Sequence, residues 1–339
     1  MPERLATPLV GALGGYLASL AGWPLPWLLG SLLAVILLRC AGWQLHELPG
    51  GRQTGQWLVA SGIGLHFNAP VLEQVASHFA LILFAALGTL LLGLIGIAVL
   101  RRGGVDRATA YFASLPGGAS EMVNLARRHA AQPDLVTAAH SLRLLLVVLI
   151  VPALFSWGLP PVDAPRLAPV DWNWLAALLP GGVLLALLWR RFGQPNPWML
   201  GPLALCAAVS ASFDLQIGLP PTLGILGQWL IGCALGCHFD RPFFRRAPVF
   251  LGHVLLFSLL TMLVAAVLAI ALGWLAGADR SALMLGMMPG GITELCLTAE
   301  ALRLPVALVT AVQVLRLFLV MFLAEPLFRL WQYLSPVRE

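Results

Sequence analysis

Twelve long apolar stretches follow one another along this 339-residue chain, and only short polar connections separate them. A helix of about 20 apolar residues is long enough to cross the core of a lipid bilayer. Only 10% of the residues are charged, whereas a soluble domain carries roughly 25%. We therefore predict an all-α polytopic membrane protein. The predicted segments are 6–21, 25–41, 54–67, 77–100, 108–126, 135–157, 172–189, 197–212, 222–238, 248–276, 282–301 and 305–328.

The second half of the chain repeats the first. PWLLG at 26–30 returns as PWMLG at 197–201, and LPGGASEM at 115–122 returns as MPGGITEL at 288–295. The offset between equivalent residues changes only from 171 to 173 along the chain, which is typical of an internal duplication. The predicted organisation is a first membrane repeat at 1–157, a connecting loop at 158–171 and a second membrane repeat at 172–334.

The arginines indicate how the two repeats are oriented, because short cytoplasmic loops of membrane proteins are enriched in basic residues. If all twelve segments crossed the bilayer, the loop arginines would divide 10 to 8 between the two sides. If the fifth segment of each repeat enters and leaves on one side, 15 are cytoplasmic and only Arg166, Arg280 and Arg303 are external. The bias favours about ten transmembrane helices plus two re-entrant elements, with both termini cytoplasmic. Five spans per repeat is an odd number, so the repeats are predicted to be inverted, as in secondary transporters.

The fifth segment of each repeat contains a Pro-Gly-Gly sequence. Proline lacks a backbone donor and glycine disfavours helix, so both segments are predicted to be interrupted within the membrane. Non-helical backbone persists there only when it is buried in protein or lines a watered cavity. The helix that restarts presents free N–H groups and a positive dipole end, which suit an anionic ligand. The predicted binding residues are Pro116, Gly117, Gly118, Ser120, Glu121 and Asn124 in the first repeat and Pro289, Gly290, Gly291, Thr293 and Glu294 in the second.

Two of the predicted binding residues carry a hydroxyl group, and a third is polar in only one of the two repeats. Ser120 and Thr293 are predicted to cap the restarted helix or to contact a ligand. Asn124 corresponds to Leu297 in the second repeat, so it is a polar candidate that only the first repeat offers.

Four charges remain inside apolar segments. Glu121 and Glu294 either complement the dipole of the restarted helix or bind a coupling H⁺ or Na⁺. Arg143 and Arg316 each follow their glutamate by 22 residues, and a guanidinium at that depth needs a partner. That partner is either the glutamate of the same repeat or a substrate carboxylate or phosphate.

Several other polar residues have weaker signals. His66 and His238 end the third segment of each repeat and are either polar caps or proton relays. His140 and Gln313 precede the two arginines by one turn. Cys233 and Cys237 have helical i,i+4 spacing next to His238, but we expect free buried thiols rather than a metal site. No cofactor is expected, and the nucleotide-binding, metalloprotease and serine-hydrolase motifs are absent from the sequence, so we do not expect an enzyme.

At these motifs the chain resembles the AbrB family of bacterial integral membrane proteins, which is distinct from the small DNA-binding AbrB regulators. The resemblance covers essentially the whole chain and includes both Pro-Gly-Gly elements with their downstream arginines. It implies a multi-pass protein of the bacterial inner membrane. Family members are described as regulators of gene expression or as ammonia monooxygenases, and the family is grouped with antiporter and anion-transporter folds built on inverted repeats.

These observations favour a secondary transporter for a small, anionic organic solute, coupled to H⁺ or Na⁺. The alternative is a membrane protein that affects gene expression indirectly, through a partner. A membrane oxygenase is the least favoured reading, because the histidines are dispersed. The expected partners are the bilayer, the solute and a second copy of the chain in a homodimer. A nucleic acid is not expected, because the arginines never form a run longer than two.

Overall fold

The computed structural model describes residues 2–158 and 168–334 of the chain. Residues 159–167, which contain most of the predicted connecting loop and Arg166, and residues 335–339, which contain Arg338, lie outside the described residues. The described residues form helices and turns without a strand, so the predicted all-α class is confirmed. The helices are α1 (Pro2–Leu20), α2 (Pro26–Cys40), α3 (Gly51–Leu65), α4 (Ala69–Ser77), α5 (Phe79–Leu91), α6 (Gly93–Arg102), α7 (Arg107–Ser114), α8 (Ala119–Arg128), α9 (Pro133–Gly158), α10 (Trp172–Arg191), α11 (Pro197–Phe213), α12 (Pro221–Gly236), α13 (Arg241–Arg246), α14 (Pro248–Ala276), α15 (Arg280–Met287), α16 (Ile292–Ala301) and α17 (Val306–Leu334).

The helices reproduce the twelve predicted segments and confirm a multi-pass membrane protein. Five of them are long and apolar enough to cross a bilayer: α5 and α6 taken together, α9, α10, α14 and α17. Four shorter apolar helices are α1, α2, α11 and α12, and α3 makes the tenth segment. The two remaining segments are interrupted, as predicted. The sequence did not predict the short helices α4 and α13 or the turn at Leu92 that separates α5 from α6.

The chain forms two compact units, and each unit combines corresponding segments of both repeats. The first unit contains the first three apolar helices of each repeat, and the second contains both Pro-Gly-Gly sequences. Unit 1 comprises Met1–Ser77, Leu149–Arg246 and Cys296–Ala307, and unit 2 comprises His78–Val148, Ala247–Leu295 and Leu308–Glu339.

Unit 1 shows the duplication as reciprocal contacts. α3 and α12 approach closely at Gly55 and Gly227. A methyl group on Gly55 would lie 2.9 Å from the carbonyl oxygen of Gly227, and one on Gly227 would lie 3.2 Å from the oxygen of Gly55. Each tryptophan of the GQWL motif also donates its indole N–H to the first helix of the other repeat. The pairs are Trp57 with the Leu179 carbonyl at 3.0 Å and Trp229 with the Pro8 carbonyl at 3.2 Å.

In unit 2, the first interrupted segment folds back on itself. The backbone N–H of Gln132, after α8, donates to Oγ1 of Thr109 in α7 at 2.8 Å, and its Nε2 donates to Asp106 at 3.3 Å. The ring of His129, after α8, also stacks on Phe112 of α7 with centroids 5.6 Å apart. The start of α7 and the end of α8 therefore lie side by side. This hairpin is what the predicted re-entrant element of the first repeat requires.

Candidate functional site

Both interruptions lie in unit 2 and share one backbone geometry. We call Leu115–Gly118 the first break and Met288–Gly291 the second break. α7 ends at Ser114, and Leu115 is extended with φ −64° and ψ 137°. α15 ends at Met287, and Met288 has φ −61° and ψ 138°. The two Pro-Gly-Gly sequences therefore stop their helices in the same way, as predicted.

The first glycine of each break serves close packing, since none of the four glycines has a positive φ. A methyl group on Gly117 would lie 2.7 Å from Cγ1 of Val320, and one on Gly290 would lie 2.6 Å from Cγ1 of Val147. Val320 belongs to α17 and Val147 belongs to α9. Each break therefore packs against the long helix of the other repeat.

The second glycine of each break leaves room for a carboxylate. Oε2 of Glu121 occupies the position that a Cβ on Gly118 would take, and Oε2 of Glu294 does the same at Gly291. Glu121 is the third residue of α8, the position from which a carboxylate reaches back to the helix N-terminus in a capping box. Both glutamates thus lie over the positive end of a restarted helix, where the dipole stabilises a negative charge.

The two buried arginines bind backbone carbonyls at each break. Nη1 of Arg143 donates to the carbonyls of Ser114 and Leu115, both at 3.2 Å. Arg316 donates from Nη1 to the carbonyl of Met288 at 2.7 Å and from Nη2 to that of Gly290 at 2.8 Å. The guanidinium groups thereby satisfy carbonyls at the C-terminal end of a helix, where a cation is favourable.

This arrangement corrects one prediction. Among the described contacts of Arg143 there is no carboxylate, so the first of the two predicted partners, the glutamate of the same repeat, is wrong for the first repeat. The glutamate lies after the break, and the arginine binds where the preceding helix ends. The guanidinium donates its hydrogen bonds to main-chain oxygens, because those oxygens lose their helical donors at the break.

Two residues that were not predicted as site residues complete the contacts. His140 binds the carbonyl of Phe112 through Nε2 at 3.0 Å and Arg143 through Nδ1 at 2.9 Å. Gln313 donates from Nε2 to the carbonyls of Gly286 at 2.9 Å and Met288 at 3.2 Å. Their common position, three residues before each arginine, was the signal in the sequence.

After the break the two repeats differ in exposure. Ser120 and Asn124 are exposed, and Glu121 is half-buried. In the second repeat Thr293 is 2%, Leu297 3% and Glu294 6% exposed. The restarted helix is therefore accessible in the first repeat and enclosed in the second.

The predicted capping role of Ser120 is wrong. The N-cap residue of α8 is Gly118, whereas Ser120 is the second residue of the helix and is exposed. Thr293 is likewise the second residue of α16, but it is buried at 2% exposure.

The predicted proton-relay histidines lie in unit 1. Nδ1 of His66 is 3.0 Å from the carbonyl of Gly62, and Nδ1 of His238 is 3.3 Å from that of Leu235. Both rings therefore bind the preceding helical turn, as polar caps do, and a relay role stays a prediction. In the part of the chain that the structure describes, no three His, Cys, Asp or Glu side chains are grouped to hold a metal ion, and Cys233 and Cys237 are free thiols.

Comparisons with known proteins match nearly the whole chain. A family model described as "Transition state regulatory protein AbrB" matches residues 27–332. "Uncharacterized protein YhjN" of Bacillus subtilis (strain 168) is 27% identical over 357 aligned residues, covering 96% of this chain and 92% of the relative. "Putative regulator AbrB" of Escherichia coli (strain K12) is 26% identical over 327 residues, covering 93% and 92%. The family match spans both breaks and both buried arginines.

Proposed function

The chain belongs to the AbrB family of multi-pass membrane proteins, and from this premise we propose that it is a secondary transporter for a small anionic organic solute. The proposal extends to its location in a bacterial inner membrane with both termini cytoplasmic. Broken helices in matching positions of two repeats are the arrangement in which transporters bind substrate and coupling ion.

The observation that carries the proposal is the accessible helix end at the first break. The N-terminus of α8 attracts anions through its free N–H groups. The side chains around it are polar and open, because Ser120 and Asn124 are both exposed. The break itself does not depend on the ligand, since Arg143 already binds its carbonyls.

Glu121 gives this site a means of ion coupling. Its carboxylate lies over Gly118 at the helix end, so it competes with an incoming anion for the same positive potential. A cation that binds the carboxylate, H⁺ or Na⁺, removes this competition. Solute and cation would then bind together, which is the requirement for coupled transport.

Counterflow in proteoliposomes tests the proposal. The purified full-length chain is reconstituted, and the liposomes are loaded with unlabelled mono-, di- or tricarboxylates. Entry of the matching radiolabelled carboxylate is then measured. We expect counterflow of at least one of these anions, and Glu121→Gln should abolish its coupling to an ion gradient, because the amide takes up no proton and has no negative charge to attract Na⁺.

Glu73→Gln on α4 is the matched control, because Glu73 is an exposed glutamate of unit 1. This variant should transport like the natural chain. Absence of counterflow for every carboxylate with folded protein would overturn the transporter proposal. Coupling that survives in Glu121→Gln would remove the role of Glu121 alone.

Labelling of single cysteines tests the orientation. In a cysteine-free background, Gly104→Cys before α7 and His129→Cys after α8 should both react with an impermeant thiol reagent added from the cytoplasmic side. Reaction from opposite sides would contradict the re-entrant element and the inverted repeat.

The names of the family model and of the Escherichia coli relative favour a second function, regulation of gene expression. We place this effect downstream of transport, through a change in solute concentration or through a partner protein, and a homodimer in the bilayer is the assembly we propose. If the proposal is right, Glu121→Gln changes the expression of the regulated genes as a deletion of the gene does. Normal regulation by a transport-inactive variant would separate the two functions.

A further inference from the structure

The strongest observation outside the proposed anion site is the set of side chains that cover the backbone oxygens of both breaks. Two long helices supply them at equivalent positions. α9 supplies His140 and Arg143, and α17 supplies Gln313 and Arg316. All four side chains are buried, with 0 to 5% exposure.

From these contacts we infer that the arginine at each break acts as a built-in cation and that a neutral side chain donates to backbone oxygens beside it. We call each such pair of side chains a clamp, and His140 is the neutral donor of the first clamp. The clamps are positioning devices: they hold the two breaks in place and occupy the oxygens that would otherwise bind an inorganic cation. The inference deepens the proposed function because it concerns the coupling ion at the same site.

The hydrogen bonds of His140 fix its protonation state. Arginine only donates hydrogen bonds, so Nδ1 of His140, 2.9 Å from Nη2 of Arg143, must accept. The proton of the ring therefore lies on Nε2, which donates to the carbonyl of Phe112 at 3.0 Å. Arg143 is the charged group that the described contacts place at this ring. A protonated ring would point an N–H at the guanidinium, so His140 stays neutral while Arg143 is in place.

The second repeat shows that a histidine is not required for this task. Gln313 reaches the carbonyls of the second break with a neutral N–H₂ group. Glutamine donates a hydrogen bond as the Nε2–H tautomer of histidine does, and its side chain stays uncharged at any physiological pH. The two residues therefore share one role, which is to donate to backbone oxygens beside the arginine.

The clamps also decide which ions can bind at the breaks. In transporters with broken helices, unwound carbonyls and half-helix C-termini coordinate Na⁺. Here the carbonyls of Ser114 and Leu115 bind Arg143, and those of Met288 and Gly290 bind Arg316. A Na⁺ ion at these oxygens would have to displace a guanidinium and then sit beside it. These four oxygens are therefore unfavourable sites for Na⁺ while the guanidinium groups are in place.

The tautomer of His140 can be measured without any transported solute. In ¹⁵N-histidine-labelled full-length protein, His140→Gln identifies the His140 signals. We expect an unprotonated Nδ1 and a protonated Nε2 that do not change between mildly acidic and neutral pH. A protonated Nδ1, or an imidazolium that appears in this range, would overturn the inference.

Substitutions test the shared role of the two donors. His140→Gln should unfold within about 2 °C of the natural chain, whereas His140→Leu should lower the midpoint by roughly 3–8 °C because it leaves a buried carbonyl without a donor. His46→Gln, at an exposed position, is the control. An equal loss for His140→Gln and His140→Leu would show that glutamine cannot replace the histidine.

Replacement of Na⁺ by K⁺ tests the ion. The unfolding midpoint should be the same in both salts at equal ionic strength. A midpoint raised specifically by Na⁺ and lost in Arg143→Gln would overturn the clamp. These results are separate from those for the transporter proposal, because the spectroscopic and unfolding measurements do not need a substrate.

Discussion

Up to the interruption, the two breaks of unit 2 are built alike. Leu115 and Met288 have nearly the same dihedral angles. In each repeat, an arginine from the long helix that follows the break binds backbone carbonyls at that break. After the interruption they diverge, because Ser120 in α8 is exposed whereas its equivalent in α16, Thr293, is only 2% exposed. The shared half is the structural requirement of a broken helix. The divergent half is where the two repeats can have different functions.

This difference assigns the roles within the proposed mechanism. A carboxylate that is only half-buried, like that of Glu121, can exchange places with an incoming anion. A carboxylate as buried as that of Glu294 changes its charge only at a large cost in solvation. We therefore place solute exchange at the first break and a supporting role at the second.

The largest effect is expected for the shared half. Arg143→Leu should destabilise the protein by about 3 kcal/mol, because it removes the donor from the carbonyls of Ser114 and Leu115 and a hydrogen bond from a charged donor contributes about 1.5–3 kcal/mol. Arg316→Leu should cost about 2 kcal/mol, since Gln313 and the N–H of Gly290 still donate to the carbonyl of Met288. Unfolding in detergent measures the loss, and Arg191→Leu at an exposed position is the control. A loss confined to one of the two clamp variants would show that the breaks are not equivalent even before the interruption.

After the interruption, exchanging the equivalent residues of the two repeats should have unequal effects on stability. Leu297→Asn should destabilise the protein by about 2–4 kcal/mol, because it removes a buried leucine and buries an amide. Asn124→Leu should change stability by less than about 0.5 kcal/mol, since its side chain is exposed, although it should weaken solute binding. The same unfolding assay compares the two. Equal losses would contradict the open and enclosed environments on which the assignment of roles depends.

The features that sequence could predict are those fixed by local chemistry. Proline and two glycines stop a helix wherever they occur, so the breaks at Pro116 and Pro289 were predictable from composition alone. The need of Arg143 for a partner was predictable from its depth in an apolar segment. The difference between Asn124 and Leu297 was visible in the alignment of the repeats, and it marks the end of the helix that the structure leaves open.

The remaining features depend on which surfaces meet in three dimensions. The carbonyl of Leu115 lies 28 residues from Arg143 in sequence, and nothing in the chain shows that it competes with Glu121 for the guanidinium. The tight contact of Gly117 with Val320 crosses from one repeat to the other. Sequence reasoning gave this glycine a conformational role, whereas its missing side chain makes room for a neighbouring helix.

A loss of stability smaller than that of Leu297→Asn tests the position of the carboxylates. Gly118→Ala should cost about 1 kcal/mol, because the added methyl group displaces only the flexible end of the half-buried Glu121. Gly291→Ala should cost about 2 kcal/mol, since Glu294 is enclosed and Cδ1 of Leu144 also lies 3.2 Å from the new methyl group.

A double-mutant cycle in the unfolding assay isolates the contact at Gly118. If the methyl group displaces the carboxylate, the cost of Gly118→Ala should fall to near zero in a Glu121→Ala background, because the displaced group is gone. The cost of Gly291→Ala should fall only in part in Glu294→Ala, since Leu144 remains. A cost at Gly118 that is unchanged by Glu121→Ala would mean that the carboxylate does not lie over the first break, and the competition between Glu121 and the solute would lose its structural basis.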